Sequence, residues 1–569
     1  MRKVLFSVFC LLAAIVPSYR VLACTNVIVT KGASADGSVM VSYAVDSHQL
    51  YGELYYHPAA DWPAGSMLDI YNWDSGFYGG QIPQAAHTYQ TVGNMNEHQL
   101  IICETTFGGR EELANPKAVA GYGTLIYVTL QRARSAREAI KVIDGLLQNY
   151  GYMDEGETFS IADKEECWIM ELVGKGEGRK GGVWVARRVP DGCICVHANQ
   201  SRITTFPLDD PENCLYSSDV ISFAREMGYF SGKDEDFSFR DAYCPLDFGA
   251  ARGCDARVWS AFNILCEGSF SWEEDGRTVT RPASDYLRYA MGYDLGGELP
   301  LWVKPQRKIN VKTVADVMRD HYEGTPMDMR TDIGAGGNEC PYRWRPMEFE
   351  YEGKTYVNER AIATQQTGFW FVAQSRPFLP DQIGALLWFG TDDAATSYLT
   401  PVYVGTNEVP ECLREGNGSL LDYSESSSFW INNRISNSCY RMYNQMEPVV
   451  RARIDAFENE QMSVKVPRND ARMLSLGKPV RIGKELTRFT VETARKQFES
   501  WVELEKMLTV KFIDGNVKAQ NEDGSFRHSP HSESIPDGLE QPGYNLKWKE
   551  AVVKDHGPVL EVREDTGLL

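Results

Sequence analysis

The sequence is short of histidine, with nine in 569 residues. It carries no His/Asp/Glu ligand set of the kind that paired-metal peptidases use, so no metal and no organic cofactor is expected. His528-Ser-Pro-His531 lacks a third and a fourth ligand. Positive charge is also scarce: 58 Lys and Arg stand against 78 Asp and Glu, a formal net charge of −20. Such a field repels nucleic acid and gives no hold on anionic lipid. Past the first residues no apolar run is long enough to span a bilayer, which excludes an integral membrane segment there. The 13 cysteines fall at irregular spacings, and Cys193-Ile194-Cys195 has no second half, so a zinc module is excluded. The glycine cluster at 334–337 lacks the Lys-Ser/Thr of a phosphate loop and reads as a plain loop.

What is present begins at the N-terminus. Arg2 and Lys3, an apolar run over 4–16, and Val21-Leu22-Ala23 read as a secretory signal peptide of residues 1–23. The product is then expected outside the cytoplasm, periplasmic or extracellular. Without Arg2, Lys3 and Arg20 it carries 55 basic against 78 acidic residues, a net −23. Cleavage after Ala23 makes Cys24 the first residue, with a thiol and a free α-amine together. That amine titrates near pH ~7.7–8.0 and can take the thiol proton. A second reading of Cys24 stays open. Val-Leu-Ala-Cys also resembles a lipobox, which would make the chain a lipid-anchored surface protein with no enzymatic role. Leu22 is atypical for a lipobox, and the alternation Thr25, Val27, Val29 starts a strand at once where a tether would be polar. Export permits disulfides. Beyond Cys10 and Cys24 the remaining number is odd, so one more thiol stays free, and most are expected to be buried apolar fillers.

The first strand ends near Thr30, a turn covers 31–37, and a second strand over 38–45 carries Val39, Val41, Tyr43 and Val45 on one face. A hairpin returns the end of the second strand beside the start of the first. Asp46 is therefore expected near the Cys24 amine, as the carboxylate that orients it. The alternative is an Asp that simply ends a strand in an Asp-Ser turn.

Cys24-Thr-Asn-Val-Ile-Val, then Lys-Gly-Ala-Ser-Ala-Asp-Gly-Ser, then Asp46, resembles the start of the peptidase C69 family of dipeptidases, related to the penicillin V acylase, bile salt hydrolase and acid ceramidase group. The resemblance runs to about residue 510. It implies an α+β, four-layer αββα sandwich of the N-terminal nucleophile hydrolase type, processing to an N-terminal cysteine, and hydrolysis of small peptides. The same mechanism on another amide, such as a bile acid conjugate, an acyl homoserine lactone or a penicillin, is the alternative. Gly93-Asn94-Met95-Asn96-Glu97-His98-Gln99-Leu100 resembles the Gly-x-Asn-Glu-x-x-Leu segment of the wider group, in which the asparagine, here Asn96, binds the oxyanion. The other reading of Asn96 is a turn residue, and His98 reads as a turn or surface histidine. Asn199 matches a second active-site asparagine; otherwise it is a polar strand end. Asp255-Ala-Arg257-Val-Trp259-Ser260 matches an arginine-bearing helix thinly, and Arg257 reads equally as a structural ion-pair residue. One departure stands out. Where relatives carry an arginine before the aspartate, this chain has Tyr43, which leaves the thiolate without a local cation and Asp46 without a partner.

The remaining pattern assigns elements. Ser135-Ala-Arg-Glu138 is a capping box opening a helix over 135–150, stopped at Gly151. Strands are expected over 100–106, 159–163, 167–172, 183–187 and 194–198, then again over 361–366, 369–373, 385–389 and 401–404. Strands at both ends of the core are what two stacked sheets require. From about 410 the period turns helical, over 429–462 and 484–508. The expected division is a hydrolase domain of 24–410 and a mainly helical C-terminal region of 411–569 with an irregular tail from 514. Self-association into a homo-oligomer stays open.

Overall fold

The second strand shows why the core forms. Val39, Val41, Tyr43 and Val45 face one apolar cluster while Met40 and Ala44 face another, so every residue of the strand is buried. A strand covered on both faces reads as a near-continuous apolar run. In the computed structural model, which describes residues 24–562, it is the centre of the molecule. The expected signal peptide, residues 1–23, lies outside the described residues.

The longer strands, in chain order, are β1 (Thr25–Val29), β2 (Val39–Asp46), β3 (Ile101–Phe107), β4 (Gly156–Ala162), β5 (Cys167–Gly174), β6 (Gly182–Arg188), β7 (Ile194–His197), β8 (Thr367–Ser375), β9 (Ala385–Thr391) and β10 (Thr400–Tyr403). A seven-stranded antiparallel sheet runs from the edge strand Trp302–Val303 through β7, β1, β2, β8 and β9 to β10. An eight-stranded antiparallel sheet runs from Cys214–Tyr216 through β6, β5, β4 and β3 to short strands at Met95–Asn96, Thr91–Val92 and Tyr56–His57. The two sheets face each other, with β1 and β2 against β3. Val41, Tyr43, Ile101, Cys103, Ile169 and Val185 fill the space between them.

Helices cover the outer faces. Next to the second sheet lie α1 (Tyr122–Leu130) and α2 (Ala136–Tyr150), which set Leu125, Ile140 and Ile143 on Ile161 and Trp168. The α2 start is the expected cap: Ser135 Oγ accepts the Glu138 N–H at 3.3 Å, and Glu138 in return accepts the Arg134 N–H at 2.8 Å. Its stop is Gly151, at a φ of 72° that a residue with Cβ resists. On the first sheet, α3 (Ala256–Leu265) and α4 (Val311–Val317) bring Val258, Phe262 and Val314 against Val27, Met40 and Val372.

The C-terminal region holds α5 (Ser428–Cys439), α6 (Tyr443–Glu460), α7 (Val466–Leu476) and α8 (Pro479–Lys511). The period expected over 429–462 is interrupted by a turn at 440–442, where the Met442 N–H closes on the Cys439 carbonyl at 3.0 Å. Leu486 of α8 joins the core of the first sheet, and Ile435, Ile454, Trp501 and Leu504 make a further cluster. The tail carries short strands and a helix, Leu546–His556, capped by Asn545, rather than irregular chain alone. The strand expected over 361–366 is not formed. There the carbonyls of Ala361 and Ile362 turn to the Arg360 guanidinium and so are not available to a sheet partner. All cysteines of the described residues are free thiols and most are buried.

Candidate active site

Cys24 is buried immediately before β1, and the hairpin register sets Thr25 opposite Ala44. The ladder of β2 with β8 shifts between Val45 and Asp46. The main-chain N–H of Asp46 comes close enough to the Cys24 sulfur to favour its thiolate. The hairpin thus brings Cys24 and Asp46 together. Burial raises the Cys24 thiol well above its ordinary value; the Glu104 and Asp46 charges push the same way, and the Asp46 N–H opposes them.

One side of Cys24 is built by arginines that come from far along the chain. Arg257, buried on α3, donates to the Cys24 carbonyl at 2.6 Å, to Thr25 Oγ1 at 2.9 Å, to the Ala198 carbonyl at 3.2 Å and to Asn199 Oδ1 at 2.9 Å. Its Nε donates to the Gly253 carbonyl at 3.0 Å, within the wide π-turn Ala251–Asp255 that precedes α3. Such wide turns recur at functional sites because they redirect the next side chains. Arg257 therefore forks between the first residue of β1 and the end of β7. Asn199 sits at a φ of 61° and also donates to the Thr106 carbonyl at 2.6 Å. The turn after it is held by Glu171, which accepts from Ser201 Oγ at 2.5 Å, from the Arg202 N–H at 2.5 Å and from the Ile203 N–H at 3.2 Å.

Asp46 has the partner that Tyr43 could not provide. Arg360 Nη2 donates to Asp46 Oδ2 at 2.6 Å, and Thr367 Oγ1 donates to Oδ1 at 2.6 Å. Burial lifts the Asp46 carboxyl above the usual range, and Arg360 and Thr367 pull it back.

The other side of Cys24 is acidic. Glu104 Oε1 lies 3.5 Å from Cys24 Sγ and accepts the Tyr43 hydroxyl. Tyr43 therefore faces the site, but as a hydroxyl donor to an acid. Glu157 Oε2 accepts from Tyr152 at 2.8 Å and from Thr106 Oγ1 at 3.2 Å. The Glu157 carboxyl also contacts that of Glu104, a contact that requires a proton between them. Burial raises both carboxyls, and the Glu104 charge raises Glu157 further. Asp74 stands near the pair and accepts the Tyr122 hydroxyl at 2.6 Å.

His197 on β7 is the imidazole of this region, since β7 pairs with β1 through Asn26 and His197. Its Nδ1 contacts Thr105 Oγ1 at 2.7 Å and its Nε2 contacts Ser160 Oγ at 2.7 Å. Burial, and then the Arg202 charge, push it down to about 3, so it is a neutral bridge between the sheets.

Asn96 is not brought into this set. Its Nδ2 donates to the Leu130 carbonyl at 2.7 Å and the Ala133 carbonyl at 2.8 Å, and its Oδ1 accepts the His98 and Leu100 N–H groups. Both amide hydrogens are spent on fastening the turn to the end of α1, which leaves none for an oxyanion. Sequence reasoning missed Glu104, Glu157 and Arg360. The available signal for the first was a glutamate inside an otherwise apolar and Thr-rich strand, Ile101-Ile-Cys-Glu-Thr-Thr-Phe107.

Residues 51–455 match the model of "Peptidase family C69". Similar curated proteins include a probable dipeptidase of Salmonella dublin, 25% identical over 412 residues, which covers 68% of this chain and 82% of its own length. A probable dipeptidase A of Streptococcus pyogenes serotype M3 (strain SSI-1) is 24% identical over 458 residues, 75% of this chain and 85% of its own. Dipeptidase A of Lactobacillus helveticus is 22% identical over 379 residues, 65% and 67%. The matched family segment begins after Cys24 and Asp46, so the hairpin that carries them rests on its own geometry, while Glu104, Asn199, Arg257 and Arg360 fall inside it. With more than half of its length matched, the chain belongs to peptidase family C69.

Proposed function

We propose that the chain is an exported dipeptidase of the N-terminal nucleophile type, made active by removal of residues 1–23. The observation that carries this reading is the setting of Cys24: the residue just before the central hairpin, carbonyl held by Arg257, sulfur beside the Asp46 N–H. Two facing antiparallel sheets with helices on their outer faces agree with the αββα arrangement that the family implies. The names of the relatives support dipeptides as the substrate class.

In this mechanism the Cys24 α-amine takes the thiol proton and the sulfur attacks the carbonyl carbon of the first substrate residue. Asp46, locked by Arg360 and Thr367, orients that amine as its ammonium form develops. Asn199 is the oxyanion donor. One of its amide hydrogens is used on Thr106, the second remains for the tetrahedral oxygen, and Arg257 fixes the amide through Oδ1. The C–N bond then breaks as the Cys24 ammonium returns its proton to the leaving amine. Water attacks the thioester, releasing the first amino acid and the thiol.

The test is a dipeptide panel beside bile acid conjugates, an acyl homoserine lactone and penicillin V, assayed on wild type and Cys24→Ala. Dipeptide hydrolysis that disappears in a folded Cys24→Ala protein is expected. Preference for another amide would move the substrate class, and a diacylated Cys24 in the mass spectrum would overturn the enzyme reading.

A further inference from the structure

The acidic side of Cys24 has no role in the steps above. A carboxylate 3.5 Å from a thiol disfavours the thiolate, so Glu104 hinders the nucleophile while it stands alone. It is also costly to bury. Among the described residues neither Glu104 nor Glu157 has a Lys, Arg or His partner; their contacts are Tyr43, Cys24, Thr106, Tyr152 and each other. Buried carboxylates are normally paired with a cation. One further polar group in the same cluster is unsatisfied: the buried hydroxyl of Tyr127, within reach of the Glu104 charge, has no hydrogen-bond partner among the described residues. The cluster is one positive, hydrogen-bond-donating group short.

A dipeptide brings such a group to this place. Its α-nitrogen is two bonds from the attacked carbonyl carbon, about 2.5 Å away by standard backbone dimensions. With sulfur poised about 3–3.5 Å above that carbon, the ammonium nitrogen lies on the order of 4 Å from Sγ by the same dimensions. An acceptor 3.5 Å from Sγ then closes a triangle whose third side is an ordinary charged hydrogen bond. Any free-amine substrate attacked by Cys24 must present its ammonium somewhere on that shell, and Glu104 is the carboxyl whose side chain touches the sulfur.

We propose that Glu104, backed by Glu157, is the receptor for the free α-ammonium of the substrate, and that it makes Cys24 act on peptides with an unblocked N-terminus. This rests on the dipeptidase reading above. Binding supplies the missing cation, so the carboxyl pair no longer opposes the sulfur with an uncompensated charge, and the correct substrate eases its own attack. The rival role for Glu104, general base to the thiol, needs no substrate ammonium and predicts equal loss on blocked and unblocked substrates, which the experiment reads.

The experiment compares alanyl-alanine, N-acetyl-alanyl-alanine and lactoyl-alanine, in which a hydroxyl replaces the ammonium, on protein that begins at Cys24. Wild type is expected to favour the free amine over both others by at least ~100-fold in kcat/KM, the usual loss when a buried charge is left unpaired. In Glu104→Gln the ratio should fall towards one, chiefly through a higher KM for the free dipeptide. Glu157→Gln, which leaves Glu104 in place, should lower the ratio partially and serves where Glu104→Gln does not fold. A ratio unchanged in a folded Glu104→Gln, or equal loss on all three substrates as a general base would give, overturns the proposal. Equal wild-type rates on the free and acetylated peptides also overturn it while leaving the dipeptidase reading intact. Hydrolysis of none of the three by folded wild type would fell that reading itself.

Discussion

The two sides of Cys24 are built on opposite principles. On one, each charge has its counter-charge or its carbonyls: Arg257 reaches four acceptors around Cys24 and Asn199 as well as Gly253, and Arg360 closes on Asp46. On the other, Glu104 and Glu157 are buried against each other with tyrosine and threonine hydroxyls for company. A network whose charges are paired gives fixed geometry and little response to what binds. A network lacking a cation is unstable alone and is completed by a ligand that brings one. On the proposed mechanism, the first side positions Cys24 and the second selects the substrate.

The largest effect is expected on the side where the charges are paired. Arg257→Ala should lower kcat by at least ~10²-fold, the scale of a small misplacement of reacting groups. Arg257→Lys should recover little of it, because a single ammonium cannot serve acceptors on Cys24, Thr25, Ala198 and Asn199 together. Steady-state kinetics with a circular dichroism check of folding decides it. A lysine variant near wild type would mean that only charge matters there.

Asn96 sharpens the comparison, because it has the residue type of the site without its availability. Asn96→Ala should cost roughly 1–3 kcal/mol in denaturant unfolding, the range for leaving buried groups unpaired, and leave kcat nearly unchanged. A folded variant of normal stability with turnover down ~10²–10³-fold would return Asn96 to the oxyanion.

The smallest effect concerns pH. Burial lifts Glu171, the clamp on the Asn199 turn, to about 7. The unfolded chain releases this proton near pH ~4.3. Between those values the folded state holds more protons, so this contribution is fully present at low pH and is lost as pH rises through about 7. From pH 5 to pH 8 the wild-type Tm should fall by roughly 2–5 °C more than that of Glu171→Gln. Parallel profiles would show that Glu171 does not carry the dependence.

Local pattern made some of this legible. The hairpin 25–46 and the capped helix after Ser135 follow from alternation and capping, which depend on neighbours in sequence. Asp46 near Cys24 follows from the hairpin alone. The partners that complete the site do not: Arg257 meets Thr25 across 232 positions and Arg360 meets Asp46 across 314. No periodicity encodes such pairings. Tyr43 marked a missing cation correctly in the local sense, and the cation came from elsewhere in the chain. Asn96 misled because a turn asparagine and an oxyanion asparagine look alike until their hydrogen-bond partners are known. Glu104 was visible as a charge within a strand pattern, but only the facing sheet gives it meaning.

The central claim is that Cys24 works through its own free amine. The direct measurement is dipeptide turnover by two preparations of the full mature chain, one beginning at Cys24 and one retaining a single methionine before it, each with its first residue verified by mass. The account predicts that both fold and that only the first hydrolyses dipeptides. Equal kcat from the two would contradict it.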